Sequence, residues 1–276
     1  DLHSFPTRRS SDLAMGSLIQ QEGLTEEDFR GERFADHPCP LKGNNDILSL
    51  TRPDVIEKIH VRYLEAGADI IETNSFSGTV ISQADYMCEA YAAEINTAAA
   101  QIARRAADRY SKPGARRYVA GSIGPTNKTA SMSPDVNNPG YRAITFAELT
   151  EAYQTQVGAL LDGGVDILLA ETVFDGLNAK AALYAIEAEL EKRHIDHFPV
   201  MISATVDKSG RILSGQTLPA LLASVSHVEL LTFGLNCSFG ARDMMPYLTE
   251  IGRRSPYMVS AYPNAGLPNQ FGAYDE

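Results

Sequence analysis

Residues 166–193 read DILLAETVFDGLNAKAALYAIEAELEKR, and their order decides the fold class. The stretch opens on a short, near-continuous apolar run, the pattern of a strand buried on both faces of a parallel sheet. It ends abruptly on the polar pair Glu171-Thr172. Asp175 then stands where a helix begins, its carboxylate suited to the free amides and the dipole of a first turn. From Gly176 to Arg193 the apolar residues return at helical spacing. A buried strand, a polar turn and a helix make the repeating half of a βαβ unit.

The unit recurs in both directions along the chain. Strands are predicted at Ala68–Thr73, Tyr118–Ile123, Asp166–Thr172, Val200–Thr205, Leu230–Cys237 and Tyr257–Ala261. Helices are predicted at Pro53–Ala66, Ser82–Arg109, Phe146–Asp162, Gly176–Arg193, Leu218–His227 and Ala241–Arg253. Pro53 near the start of the first helix and Gly67 just past its end are the expected punctuation. Repeated strand–helix units imply a parallel sheet with right-handed crossovers, closed as a (β/α)8 barrel or open and doubly wound. An open sheet would usually carry a Gly-rich phosphate turn. Neither G-x-G-x-x-G nor G-x-x-x-x-G-K-[ST] occurs, and Gly121 and Gly124 are wrongly spaced. That favours an α/β fold of the closed (β/α)8 TIM-barrel kind, of whose eight strands six are predicted here.

Composition agrees with one soluble domain. The 276 residues suit a barrel of roughly 250. A net charge of -11 disfavours a nucleic-acid or anionic-membrane surface. No run approaches the roughly 18 apolar residues of a membrane helix, and nothing resembles a secretory signal. Three scattered cysteines, Cys39, Cys88 and Cys237, suit a reducing cytoplasm and argue against a disulfide scaffold.

In a barrel the strand ends converge on one rim. Here the exits read Glu72-Thr73-Asn74, Gly124-Pro125-Thr126-Asn127, Glu171-Thr172, Thr205, Asn236-Cys237 and Pro263-Asn264-Ala265-Gly266. Such groups cap helices, or they bind a small polar ligand; Asn74 is taken as a substrate contact. The Glu171 carboxylate emerges from a buried strand and needs a partner, either a ligand ammonium or an internal Arg or Lys. Cys237 ends an apolar run, as an inert thiol or as a metal ligand; zinc would need further ligands. There is no His-x-x-His or Cys-x-x-Cys, and Cys39 in a loop and Cys88 in a helix are poorly placed to join it. Two long polar segments, 20–52 and 126–144, are predicted loops, either substrate-contacting or solvated.

The opening, Leu2 to Leu13, reads LHSFPTRRSSDL and shows neither helical nor strand periodicity. It resembles the translation of a sequencing-adapter oligonucleotide. Residues 1–13 are expected to be non-native, and 14–276 to form the barrel domain.

The runs LKGNNDILSLTRPDVI (41–56), AGADIIETNSF (66–76), GPTNKTASMSPDVNNPGYRAITF (124–146), ETVFDGLNAKAA (171–182), TFGLNCSFG (232–240) and PNAGLPNQFG (263–272) carry a resemblance. From about Ala14 to the last residue the chain resembles the N-terminal homocysteine-binding domain of cobalamin-dependent methionine synthases. The resemblance implies a (β/α)8 barrel that binds homocysteine on zinc, incomplete in this chain because the first and last strands are missing. Methylcobalamin and methyltetrahydrofolate would be bound by modules outside this chain. It implies that Cys237, in the LNC motif, is a zinc ligand. Glu171, in ETVFD, would hold the homocysteine amino group, and Asn264, in PNAG, would lie beside the metal and ligate it without substrate. The family's Asp-Gly-Gly-Met-Gly turn, whose amides receive the substrate carboxylate, survives as Ala14-Met15-Gly16. Two further zinc cysteines, in a Gly-Gly-Cys-Cys-Gly motif of the last strand, would lie past Glu276, so the chain is expected to be a truncated, inactive fragment. The expected reaction of the parent enzyme is methyl transfer from methylcobalamin to homocysteine, giving methionine. The alternative is a betaine- or S-methylmethionine-type homocysteine methyltransferase barrel.

Overall fold

A computed structural model describes residues 15–264. The segment 1–13 and the Ala265-Gly266 part of the last exit lie outside the described residues. Four short helices, α1 (Met15–Gln21), α2 (Glu26–Arg30), α3 (Leu48–Thr51) and the longer α4 (Pro53–Glu65), precede the first strand, β1 (Ile70–Glu72). The chain continues through α5 (Val80–Gln83), α6 (Ala92–Tyr110), β2 (Tyr118–Ile123), α7 (Phe146–Asp162), β3 (Ile167–Val173) and α8 (Gly176–Lys192). It ends with β4 (Val200–Ala204), α9 (Leu218–Val225), β5 (Thr232–Gly240), α10 (Ala241–Arg254) and β6 (Ala261–Asn264). All six strands are parallel and lie in the sheet in chain order. This is a curled half-barrel sheet, consistent with an incomplete TIM-like barrel.

Strand alternation sorts the side chains onto two faces. Ile71, Val119, Ile123, Leu168, Ala170, Val200, Ile202, Phe233 and Leu235 join the principal core beneath the helices. The residues between them face the other way. Ile70, Ala120, Ile167, Leu169, Met201 and Leu231 form a smaller apolar cluster there. Two residues beyond each of Ile70, Ala120, Leu169 and Met201 stand Glu72, Ser122, Glu171 and Ser203, all buried. The inner face is therefore apolar at its base and polar at its rim, which is where a small polar ligand fits.

Three predicted boundaries are corrected. The segment 20–52 is not an open loop: Phe29, Phe34, Leu41, Ile47 and Leu48 bury themselves with Ile56, Ile59 and Ile95 in a satellite core. Its helices of four to seven residues span too few turns to show a period. The helix predicted over Ser82–Arg109 is broken, because Met87 adopts a left-handed conformation (φ 53°), and α6 begins only at Ala92. The last strand runs over Ala261–Asn264 and not Tyr257–Ala261. Tyr257 packs against the principal core, and Met258 makes only an isolated bridge to Thr232.

Candidate active site at the strand exits

A cavity of about 330 Å³ opens at the rim of the inner face. Its walls include Met15 and Gly16 of α1, Asn44, Asn45 and Asp46, the β1 exit from Glu72 to Ser77, Ser122 of β2, Glu171 of β3 and Cys237 of β5. Five of the six residues singled out in the sequence, Met15, Gly16, Asn74, Glu171 and Cys237, thus meet in one space. Asn264 does not line it; it lies at the end of β6, paired with Gly240 beyond Cys237 on the neighbouring strand. Of the two long segments, 20–52 contributes Gly43 to Asp46, whereas 126–144 contributes nothing to the described walls. The latter is instead hooked to α8: Asp175, its N-cap, accepts from the Ser131 hydroxyl at 2.7 Å, and Asn178 accepts from the Ala130 amide at 2.9 Å.

The rim is stitched by side chains. Thr73 Oγ1 accepts from the Ser122 amide at 2.9 Å, and Ser75 Oγ donates to the Ser122 carbonyl at 2.8 Å. These bonds bridge the gap between the last β1–β2 ladder pair and a further backbone bond, in which the Gly124 amide donates to the Phe76 carbonyl at 3.1 Å. Gly124 is needed here because a side chain would overlap the Phe76 carbonyl. Asn74 Nδ2 donates to the Asn45 carbonyl at 2.7 Å and to Ser49 Oγ at 3.3 Å. That amide pins the 45–49 segment to the β1 exit while its residue lines the cavity.

Glu171 and Cys237 are both displaced from regular strand geometry. The β3–β4 register shifts between Ala170 and Val173, and the β5–β6 register between Asn236 and Gly240. Within these irregularities Thr172 has φ 54° and Cys237 φ 52°. A left-handed conformation costs a non-glycine residue about 1–3 kcal/mol, and such strain concentrates at functional sites. The two bulges re-aim the side chains they carry toward the cavity.

The electrostatics are one-sided. Asp46, Glu72 and Glu171 are buried in the walls, and no lysine, arginine or histidine is among the described lining residues. Glu171 accepts a short hydrogen bond from Ser122 Oγ. Burial pushes the Asp46 carboxyl up to about 7, against the lowering effect of the Ser77 amide that donates to it at 2.9 Å. Desolvation first, then the Glu171 and Glu72 charges, push the Cys237 thiol above its ordinary value. Such a cavity selects cations: an ammonium, a divalent metal, or both. A thiol on an anionic wall is a chemically reasonable zinc donor. Among the described residues no group of three or more His, Cys, Asp or Glu side chains is placed to hold a metal ion. Cys39 and Cys88 do not line the cavity; Cys39 Sγ donates to the Tyr86 carbonyl and Cys88 Sγ lies 3.7 Å from His37 Nε2.

Sequence reasoning gave no role to Asp46 or Ser122, and named Asn236 only as one of the polar strand exits. Ser122 carried a usable signal, since inner-face alternation puts it beside Glu171 once both strands are aligned. Asp46 carried none, because its place depends on the satellite core.

The model of the family described as homocysteine S-methyltransferase matches residues 11–276. Among solved structures, the chain is similar to the metallated form of the homocysteine methyltransferase MmuM from Escherichia coli. That likeness has 21% identity over 93% of this chain and 82% of the other, with a TM-score of 0.70. The apo form of the same protein matches with 19% identity over 92% and 80% and a TM-score of 0.65. At these identities the structural likeness is one of fold. No helix among the described residues is long and apolar enough to cross a membrane.

Proposed function

Since the chain belongs to the homocysteine S-methyltransferase family, we propose that its cavity holds homocysteine beside a zinc ion, as the acceptor site of a methionine-synthase-type methyl transfer. The observation that carries this reading is the convergence of Met15, Gly16, Asn74, Glu171 and Cys237 on one anionic cavity at the strand exits. Glu171, steadied by Ser122, receives the substrate ammonium. Met15 and Gly16, at the start of α1, offer their backbone to the carboxylate, and Asn74 keeps the 45–49 wall in place. The thiol then points toward Cys237.

Cys237 and Asn264 would hold zinc, with the remaining ligands supplied from outside the described residues and by the substrate. A free thiol near pKa 8.5 is mostly protonated at neutral pH; zinc bound there supplies the thiolate. Burial first, and then the Glu171 and Glu72 charges, raise the Cys237 thiol, and the same charges would draw a cation in. The homocysteine sulfur bonds to the methyl carbon as the bond between that carbon and its donor breaks, and the product is methionine. Methylcobalamin, carried by a module outside this chain, is the proposed methyl source; the long motif runs at 41–56 and 124–146 support that choice. A cytoplasmic setting and methyltetrahydrofolate-binding and cobalamin-binding partner modules belong to the same proposal.

Calorimetric titration with L-homocysteine and zinc, run on the parent enzyme that carries the remaining zinc ligands, tests the site. Glu171→Gln should weaken binding by roughly tenfold or more, the loss of one charge-assisted hydrogen bond. Cys237→Ala should remove the part of the affinity that depends on zinc. Wild-type affinity in Glu171→Gln would refute the amino-group assignment. The family itself leaves the donor open, so betaine and S-methylmethionine are the competing methyl sources. Methionine formed from either of these, and not from methylcobalamin, would move the assignment to the alternative.

A further inference from the structure

Asn236 is fully buried between three strands, and its amide uses every bonding position it has. Oδ1 accepts from the Thr172 backbone amide at 3.0 Å and from Ser203 Oγ at 2.5 Å. Nδ2 donates to Thr172 Oγ1 at 2.6 Å and to Cys237 Sγ at 3.4 Å. A primary amide offers two donors and two acceptor positions. The Thr172 N–H can only donate, so the oxygen must face β3, and the nitrogen must then face the Thr172 hydroxyl and the sulfur. No other side chain of this length supplies that set.

The partners are the two left-handed residues of the rim. Thr172 directly follows Glu171, and Cys237 directly follows Asn236. Both sit where the sheet register shifts, so the regular ladder does not fix their separation. The Asn236 side chain supplies the missing tie across β3, β4 and β5. We propose that Asn236 is a positioning residue: its amide holds the Glu171 exit and the Cys237 sulfur at one fixed spacing, so that ammonium and thiol of a single amino acid are engaged together. This rests on the site reading given above and deepens it by naming what couples the two poles.

Asn236→Asp and Asn236→Ala separate this from a purely structural role. Asp keeps an acceptor for the Thr172 amide and Ser203 but has no donor for the sulfur; Ala has neither. The probes, applied to the parent enzyme with its full zinc-ligand set, are L-methionine, which needs the amino pole and no zinc, and L-homocysteine with zinc, which needs both poles. Asn236→Asp should bind L-methionine within about threefold of wild type and L-homocysteine with zinc roughly tenfold or more weakly. Asn236→Ala should lose roughly tenfold on both probes. Equal losses on both probes in Asn236→Asp, or unchanged binding in both variants, would overturn the inference. Glu171→Gln is run beside them. If it loses binding while both Asn236 variants keep theirs, only the present inference falls. If it binds both probes like wild type, the site reading falls, and this inference with it.

Discussion

Asp46 shows how burial alone sets a charge in this cavity. Its carboxyl is raised from 3.8 to about 7. An acid whose folded value lies above its unfolded value stabilises the fold fully below pH 3.8, and that contribution disappears as pH rises through about 7. Stability from this group therefore falls across that window, by at most about 4 kcal/mol. Asn at this position keeps an acceptor for the Ser77 amide and carries no charge. Asp46→Asn should leave the melting temperature near pH 4 almost unchanged and raise it at pH 8. Equal melting-temperature profiles for the two proteins would show that the cavity hydrates the carboxylate well. At this scale the chain announced Glu171 and Cys237, because each ends an apolar run. It did not announce Asp46, whose burial comes from residues far along the chain.

Elements begin and end where side chains take over backbone bonding. Thr145 caps α7 with a full capping box: its hydroxyl accepts from the Glu148 amide, and Glu148 accepts from the Thr145 amide at 2.8 Å. Thr145→Ala should cost about 1 kcal/mol in denaturant unfolding, with an unchanged m-value. Asp175 caps α8 and also holds the 126–144 segment, so Asp175→Ala should do more than fray a helix. Faster amide exchange is expected at Ser131 as well as at Leu177 and Asn178, whose amides it also accepts. Exchange that rises only in α8 would mean that the segment is anchored elsewhere. In β5, an added Cβ at Gly234 would overlap the Ser260 carbonyl, part of the segment entering β6. The β2 strand and α7 were legible to the residue, since β2 is a short apolar run and α7 has a clear helical period with its cap in sequence. The β6 strand was misplaced because Tyr257 is apolar to pack against the core and Met258, though apolar, is exposed.

The whole sheet works by dividing its faces, the outer one apolar throughout and the inner one apolar below and polar above. Phe233 is the largest fully buried side chain of the outer core, and Phe233→Ala should cost about 3–5 kcal/mol in denaturant unfolding. A loss near 1 kcal/mol would mean that the helices collapse onto the sheet and fill the space. From the sequence alone came the parallel α/β plan, the strand exits as the polar rim, and the residues Glu171 and Cys237 on it. Those follow from local physics: apolar runs must be buried, and polar groups at their ends must find partners. Only the tertiary structure decided which exits share a cavity, that α1 and the 43–46 segment close its wall, and that Asn236 ties two irregular strands together. Such relations depend on register and on contacts between residues dozens of positions apart, and no local pattern encodes a distance between strands.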